Sequence, residues 1–182
     1  SAKRSFETNC PYPASAYGRA FSYICGMIPV ILNKKISRRI ENGHPWIFSN
    51  EIAETEDLAK PGDIVSVFTW YRKFVGKGYF NPRSQITVRL LTRRQNEEIN
   101  DEFFIHRIES AWNYRKKTGY TENCRLVFGE ADGLPALIID KFNDHFVIQT
   151  LSLGIDRWKP AIVQALTSIF KTKKIFERND VP

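Results

Sequence analysis

The chain has 182 residues and an apolar content of 42%, which is enough for one domain or two small ones with a packed core. Its net charge of +7 favours a polyanionic partner such as nucleic acid, although such a charge also serves solubility. No apolar run approaches the roughly 18 residues that span a membrane, and no secretory signal follows the first charges. We therefore expect no membrane partner.

The first 26 residues differ from the rest of the chain. Pro11, Pro13 and Gly18 interrupt any hydrophobic period, and the only methionine of the chain is Met27. This pattern predicts an irregular N-terminal extension over residues 1–26, which is not native if translation naturally starts at Met27. A genuine but irregular extension is the alternative.

Residues 27–94 are predicted to form a small β-barrel. Short strands recur at regular spacing, and Gly76 and Gly78 indicate a bulge or a tightly curved strand. Ser37 is placed to cap one helical turn over residues 37–41. The predicted strands are Ile28–Leu32, Trp46–Phe48, 64–70, Phe74–Phe80 and Ile86–Thr92.

A corner with the sequence ENGHPWIFSNEI, residues 41–52, follows a basic run in this half. Asn42-Gly43 is a turn signal, and Pro45 restricts the residue before it to an extended conformation. Cations beside an imidazole and two large aromatic rings suit contact with phosphates and an unstacked base. A buried Trp and Phe beneath a solvated basic surface is the alternative. The candidate RNA-contacting residues are Lys34, Lys35, Arg38, Arg39, His44 and Trp46, with Arg72 and Lys73 at a predicted hairpin tip.

The hydrophobic period changes after residue 95, where helices begin to alternate with strands. Asn100 is a predicted N-cap, and apolar residues at helical spacing continue until Gly119. The sequence after this helix predicts strands at 125–129, 134–140 and 145–151, a helix at 156–170 and a last strand at 174–177. This part is therefore predicted to be an α+β domain over residues 95–175.

The basic excess belongs to the first folded half. Residues 27–95 carry twelve Lys and Arg against six Asp and Glu, whereas residues 96–182 carry twelve against thirteen. This asymmetry predicts that the first half is the part that meets a polyanion.

Catalytic and metal-binding patterns are sparse. Cys10, Cys25 and Cys124 form no CxxC pair, so we predict neither disulfides nor a metal site, and a reducing, cytoplasmic setting fits best. The GxG formed by Gly76 and Gly78 has no third glycine and no following helix, so it is not predicted to bind a cofactor.

Four separated segments resemble one known family. They are GHPWIFSNEI (43–52), GYFNPRSQITVRLL (78–91), GEADGLPALIIDKF (129–142) and FERNDVP (176–182). In order and spacing they are similar to the N-terminal part of bacterial class I S-adenosylmethionine-dependent rRNA methyltransferases, and most similar to the 23S rRNA cytosine-C5 type. The resemblance covers essentially all of residues 27–182, and residues 1–26 have no counterpart in the family.

The resemblance implies a PUA-like RNA-binding barrel, then a small strand-strand-helix-strand-strand domain, then a Rossmann-like catalytic domain. Residues 176–182 would begin the linker to that third domain, which this chain would lack. In the family, a cysteine thiolate adds to cytosine C6, C5 takes the methyl group and elimination restores the ring. None of the three cysteines matches that nucleophile, so the present residues would hold the rRNA, with S-adenosylmethionine bound only by a full-length parent.

Two alternatives remain at the level of the sequence. One is a free-standing PUA-like RNA-binding module without catalytic activity, and the other is a barrel that mainly packs against its own catalytic domain. The oligomeric state and the target nucleotide are open.

We predict that the 182 residues alone bind no S-adenosylmethionine and transfer no methyl group, because the glycine-rich loop and the nucleophile implied by the family are absent from them. Isothermal titration of the purified chain with S-adenosylmethionine measures this directly. A saturable heat of binding would contradict the prediction.

Overall fold

A computed structural model describes residues 28–55 and 59–179 of the protein. The predicted extension at 1–26 and the proposed start at Met27 lie outside the described residues. The strands are β1 (Ile28–Leu32), β2 (Trp46–Phe48), β3 (Ile52–Thr55), β4 (Ile64–Phe68), β5 (Phe74–Phe80), β6 (Ile86–Thr92), β7 (Asn123–Phe128), β8 (Leu137–Phe142), β9 (His145–Thr150) and β10 (Ile175–Glu177). The α-helices are α1 (Arg38–Glu41), α2 (Asp101–Lys117), α3 (Leu153–Asp156) and α4 (Lys159–Phe170), and 3-10 turns occupy Ser49–Glu51 and Gly129–Asp132.

The first six strands form one curled sheet in the order β2-β6-β5-β4-β1-β3. Its two outermost strands, β2 and β3, are consecutive in the chain and are joined by the 3-10 turn at Ser49–Glu51. This connection requires the sheet to curl until its edges approach each other, as in a partly open small barrel. The prediction of a barrel in this half is confirmed.

The packing of the barrel strands requires a glycine at position 78 of β5. Ile47, Val65 and Val88 are fully buried inside the curl. A Cβ added at Gly78 would collide with the backbone carbonyl of Arg89 on the neighbouring strand. The residue therefore has to be glycine so that β5 and β6 can approach closely, and the strand register shifts at the same point.

The last four strands form a second sheet in the order β10-β9-β8-β7, with β10 parallel to β9. Helices α2 and α4 pack against each other and enclose one core with this sheet. Phe104, Ile108, Phe146, Ile162 and Leu166 are among its fully buried members. An amphipathic helix stripe on a half-buried sheet is the arrangement that the sequence periodicity predicts.

The two domains share an apolar contact. Tyr79 of β5, although part of the barrel sheet, is buried in the core of the second domain. A Cβ at Gly154 of α3 would overlap the Tyr79 side chain, so the helix lies directly on that ring. An ion pair of 2.7 Å between Arg157 and Asp63 joins the same two surfaces.

The elements depart from the prediction in two places, and several strand ends differ by one to three residues. Strand β3 was not predicted, because most of its residues are exposed and show no alternating apolar pattern. The single predicted helix at 156–170 is instead α3 and α4, which are separated at Arg157–Trp158 before the first-turn Pro160. The second domain is confirmed as α+β, but its order is α2-β7-β8-β9-α3-α4-β10. A turn at Asn143 adds a third consecutive strand to the implied pattern, as the residue pattern itself predicts.

Within residues 28–55 and 59–179, no helix is both long enough and apolar enough to cross a membrane. Over the same ranges, no three His, Cys, Asp or Glu side chains are grouped to hold a metal ion.

We predict that Gly154→Ala lowers the free energy of unfolding by about 1–3 kcal/mol, the usual cost of forcing atoms into a packed contact. The added methyl group would have to displace the Tyr79 ring that joins the two domains. Urea denaturation measures the change, and Leu153→Ala at the exposed neighbouring position is the control. Equal effects of the two substitutions would show that α3 does not rest tightly on β5.

Candidate nucleic-acid interface

The predicted corner is built by local signals around α1. The Ser37 side chain caps the helix by accepting a hydrogen bond from the Arg39 backbone N–H at 3.3 Å. The chain then reverses at Gly43, whose φ of 96° favours glycine. Pro45 leads into β2, and its carbonyl accepts a hydrogen bond of 2.7 Å from Leu90. The prediction of a turn, a short helix and a strand is confirmed here.

Arg39 holds this corner together. Its guanidinium donates to both carboxylate oxygens of Glu51, at 2.9 and 2.7 Å, and to the Trp46 carbonyl at 2.8 Å. It also lies over the Phe48 ring, 4.8 Å from the centroid. The Arg39 side chain is 29% exposed and that of Glu51 is 17% exposed. These contacts occupy most of the donors of Arg39, so its role here is structural.

His44 is part of the same cluster. Its Nδ1 lies 2.8 Å from Arg39 Nη1 and 3.2 Å from the Trp46 backbone nitrogen. Both neighbours can only donate, so Nδ1 must be the acceptor and carry no proton in this arrangement. The His44 ring meets Trp46 edge to face, with centroids 5.4 Å apart.

Trp46 connects the barrel to the second domain. Its indole Nε1–H donates to Glu130 Oε1 at 2.6 Å, and Arg89 lies over its ring at 5.4 Å. Arg89 also approaches Glu130, at 3.8 Å. Burial lowers the pKa of Arg89, and the charge of Glu130 opposes that shift. Trp46 is half-buried in this contact between the domains.

The other predicted cations of the corner are exposed. Lys34 and Lys35 follow β1, and Arg38 begins α1. Among the described residues, none of these three side chains makes a hydrogen bond or an ion pair. They are therefore available to bind an anion, in contrast to Arg39 beside them.

The strand order brings the predicted hairpin tip to the same end of the barrel. Because β1 and β4 are parallel, with Ile31 opposite Phe68, the chain leaves both strands at one end of the sheet. Residues 70–73 follow β4 there, and Arg72 reaches Glu54 at 3.4 Å in an exposed ion pair. Such a pair contributes little to stability, so a phosphate can replace the carboxylate.

A further arginine lies at this end. Strand β6 runs antiparallel to β5, with Thr92 opposite Lys77, so β6 also finishes near the hairpin tip. Arg93 donates to the carbonyls of Ile40 and His44, at 3.0 and 3.1 Å. Arg93 and Arg94 belong to the basic excess of residues 27–95 but were not among the predicted RNA contacts. Two adjacent cations directly after a strand were the signal that could have identified them. The basic end consists of Lys34, Lys35, Arg38, Arg72, Lys73 and Arg93, among which lie the carboxylates of Glu41 and Glu54. Arg94 follows it on the side of the second domain.

Two other candidate chemistries do not fit the described residues. Gly76 and Gly78 lie inside the sheet, where they admit neighbouring strands and cannot cradle a cofactor. Burial raises the pKa of the Cys124 thiol, against the opposing charges of Lys141 and Arg115, so it is not an activated nucleophile.

Residues 30–93 match the PUA-like domain family. The match covers β1 to β6, the curled sheet whose end carries the cations. The first part of this chain is therefore a PUA-like domain, and the fold class predicted from the sequence is confirmed.

The chain is also homologous to ribosomal RNA large subunit methyltransferase I. The protein of that name from Klebsiella pneumoniae subsp. pneumoniae is 35% identical over 156 residues, which cover 84% of this chain and 39% of the relative. The one from Vibrio cholerae serotype O1 is 39% identical over 163 residues, covering 85% of this chain and 40% of the relative. The chain thus spans about two fifths of the length of the curated relatives it matches.

Solved structures show the same fold. A candidate SAM-dependent methyltransferase from Streptococcus mutans superposes with a TM-score of 0.71 at 16% identity, covering 84% of this chain and 41% of that one. A candidate methyltransferase in complex with SAH gives 0.71 at 16% identity, covering 84% and 40%. At this identity, the likeness concerns the fold alone.

We predict that Arg39→Ala lowers the free energy of unfolding by roughly 1.5–3 kcal/mol, because it removes hydrogen bonds to a charged, partly buried carboxylate. The matched control is Arg38→Ala on the next residue, whose side chain is exposed, and its effect should stay within about 0.5 kcal/mol. Urea denaturation of both variants measures the difference. Equal effects would contradict the structural role of Arg39.

Proposed function

We propose that this chain is the RNA-binding portion of an S-adenosylmethionine-dependent rRNA methyltransferase that modifies cytosine C5 in large-subunit, 23S rRNA. The names of the relatives support an rRNA methyltransferase, and the four family-like segments support the cytosine-C5 type. The observation that carries the RNA-binding part is the set of unpaired cations at the basic end of the PUA-like domain.

The contacts divide the predicted residues into two roles. Lys34, Lys35 and Arg38 are exposed and meet the phosphates, while Lys73 and Arg72 extend the same surface at the hairpin tip. Arg39, His44 and Trp46 lie behind them and fix the corner through their internal contacts. Phosphate contacts of this kind hold and orient RNA without reading its sequence.

Release of counterions makes this function measurable. Each phosphate contact with a single strand contributes roughly 0.7 to the slope of log affinity against log salt concentration. A surface that binds RNA through three lysine and arginine side chains must therefore show a strong salt response that depends on those side chains.

We predict that Lys34→Ala, Lys35→Ala and Arg38→Ala combined lower the salt slope of single-stranded RNA binding by roughly 2, at about 0.7 per lost contact. Fluorescence anisotropy with a labelled RNA oligonucleotide at several salt concentrations measures the slope. The matched control combines Arg83→Ala, Lys117→Ala and Lys173→Ala, which remove the same charge from exposed positions away from the basic end. Equal slopes for the two triple variants would contradict the proposed surface.

A further inference from the structure

An open groove runs between the PUA-like domain and the second domain, beside the basic end. Its volume is about 320 Å³, at the small end of the roughly 300–1,000 Å³ typical of ligand pockets. The barrel contributes backbone and apolar surface, and the second domain contributes one arginine and one turn. Its main lining residues are Gly43, Pro45, Leu90, Arg94, Arg107 and Gly133.

Two glycines line the groove with backbone alone. Gly43 has a φ of 96°, and a Cβ built there would find no atom within 4 Å, so the space above it is empty. On the other domain, a Cβ at Gly133 would lie 3.3 Å from Arg107 Nη1. The absence of a side chain at Gly133 lets the guanidinium group lie close to the turn.

The arginines of the groove differ in how many of their N–H donors already have a hydrogen-bond partner. Arg94 is exposed, and within the described residues its side chain has no ion-pair or hydrogen-bond partner. Arg107 lies over the Phe103 ring, 4.9 Å from its centroid, and forms an ion pair of 3.4 Å with Glu97. Its hydrogen bonds are long, 3.4 Å to Glu97 and 3.5 Å to the Leu91 carbonyl, and both use Nη2, so most of its five N–H donors remain available. Arg93, in contrast, is anchored on two backbone carbonyls.

One carboxylate, that of Glu130, also lines the groove. It accepts the Trp46 indole hydrogen bond at 2.6 Å and lies 3.8 Å from Arg89. These contacts offset its charge, so it does not cancel the positive potential of Arg94 and Arg107.

The groove is continuous with the basic end. Arg93 contacts the carbonyls of Ile40 and His44, which belong to the corner that presents Arg38. A strand of RNA whose phosphates lie on the corner therefore reaches the groove along β6. Arginines beside the half-buried Pro45 and the exposed backbone of Gly43 match a nucleotide, which has a phosphate and a flat apolar base.

We propose that this groove binds one nucleotide of single-stranded RNA, with Arg94 and Arg107 holding its phosphate and the surface around Gly43 and Pro45 contacting the sugar or base. The inference rests on the proposed RNA-binding function and adds a second contact region to it. We expect a single strand rather than a duplex, because the bases of a duplex are stacked and paired inside the helix and cannot enter a groove of this volume.

The test is Arg94→Ala, because this side chain has no internal role that its loss would disturb. We expect the slope of log affinity against log salt concentration for a labelled single-stranded RNA to fall by about 0.7. If the affinity at 1 M salt is unchanged, the variant then binds roughly fivefold more weakly than the unsubstituted chain at 0.1 M salt. Arg83→Ala is the matched control, because Arg83 lies in the turn before β6, at the opposite end of the sheet. The affinity for a duplex of the same sequence should be unchanged by Arg94→Ala.

The outcomes separate the two proposals. If Arg94→Ala behaves like Arg83→Ala while the triple substitution at Lys34, Lys35 and Arg38 weakens binding, the groove is excluded and the RNA-binding surface stands. If Arg94→Ala and the triple substitution both leave the affinity unchanged, both proposals fail. An equal loss of affinity for the duplex would overturn the assignment to a single strand.

Discussion

The bidentate ion pair between Arg39 and Glu51 is the contact on which the exposed cations of this protein depend. It ties α1 to the 3-10 turn after β2, two segments that are short and have little helical or strand stability of their own. With Arg39 committed to Glu51, the corner keeps one conformation while Arg38 faces solvent. Arg39 makes the corner rigid and Arg38 supplies an unpaired charge, so two adjacent arginines have different roles.

Contacts between the two domains fix the position of the second domain beside the basic end. Tyr79 and Gly154 join the apolar parts, while Trp46 and Glu130 form a polar link over the 84 residues that separate them in sequence. Together they fix the distance between β6 and the turn at Gly133, which determines the width of the groove. The second domain therefore shapes the proposed RNA site, although it contributes few of the charges.

Structural features that depend on neighbouring residues could be predicted from the sequence. Features that depend on contacts between distant residues could not. The cap at Ser37 and the bulge in β5 beside Gly78 follow from local chemistry, and both are confirmed. The structural role of Arg39 requires knowledge of a carboxylate twelve residues away, and that of Trp46 requires Glu130 in another domain. Charge counting placed the basic excess in the first half but could not tell paired arginines from free ones, because pairing is a property of the fold.

Backbone amide chemical shifts during an RNA titration would show whether RNA binds the basic end of the PUA-like domain. On addition of single-stranded RNA at low salt, we expect residues 33–45 and 92–94 to shift together and saturably. Amides of α4, on the far side of the second core, should stay unchanged. Shifts confined to the second sheet and its helices, with residues 33–45 unaffected, would show that RNA does not bind the basic end.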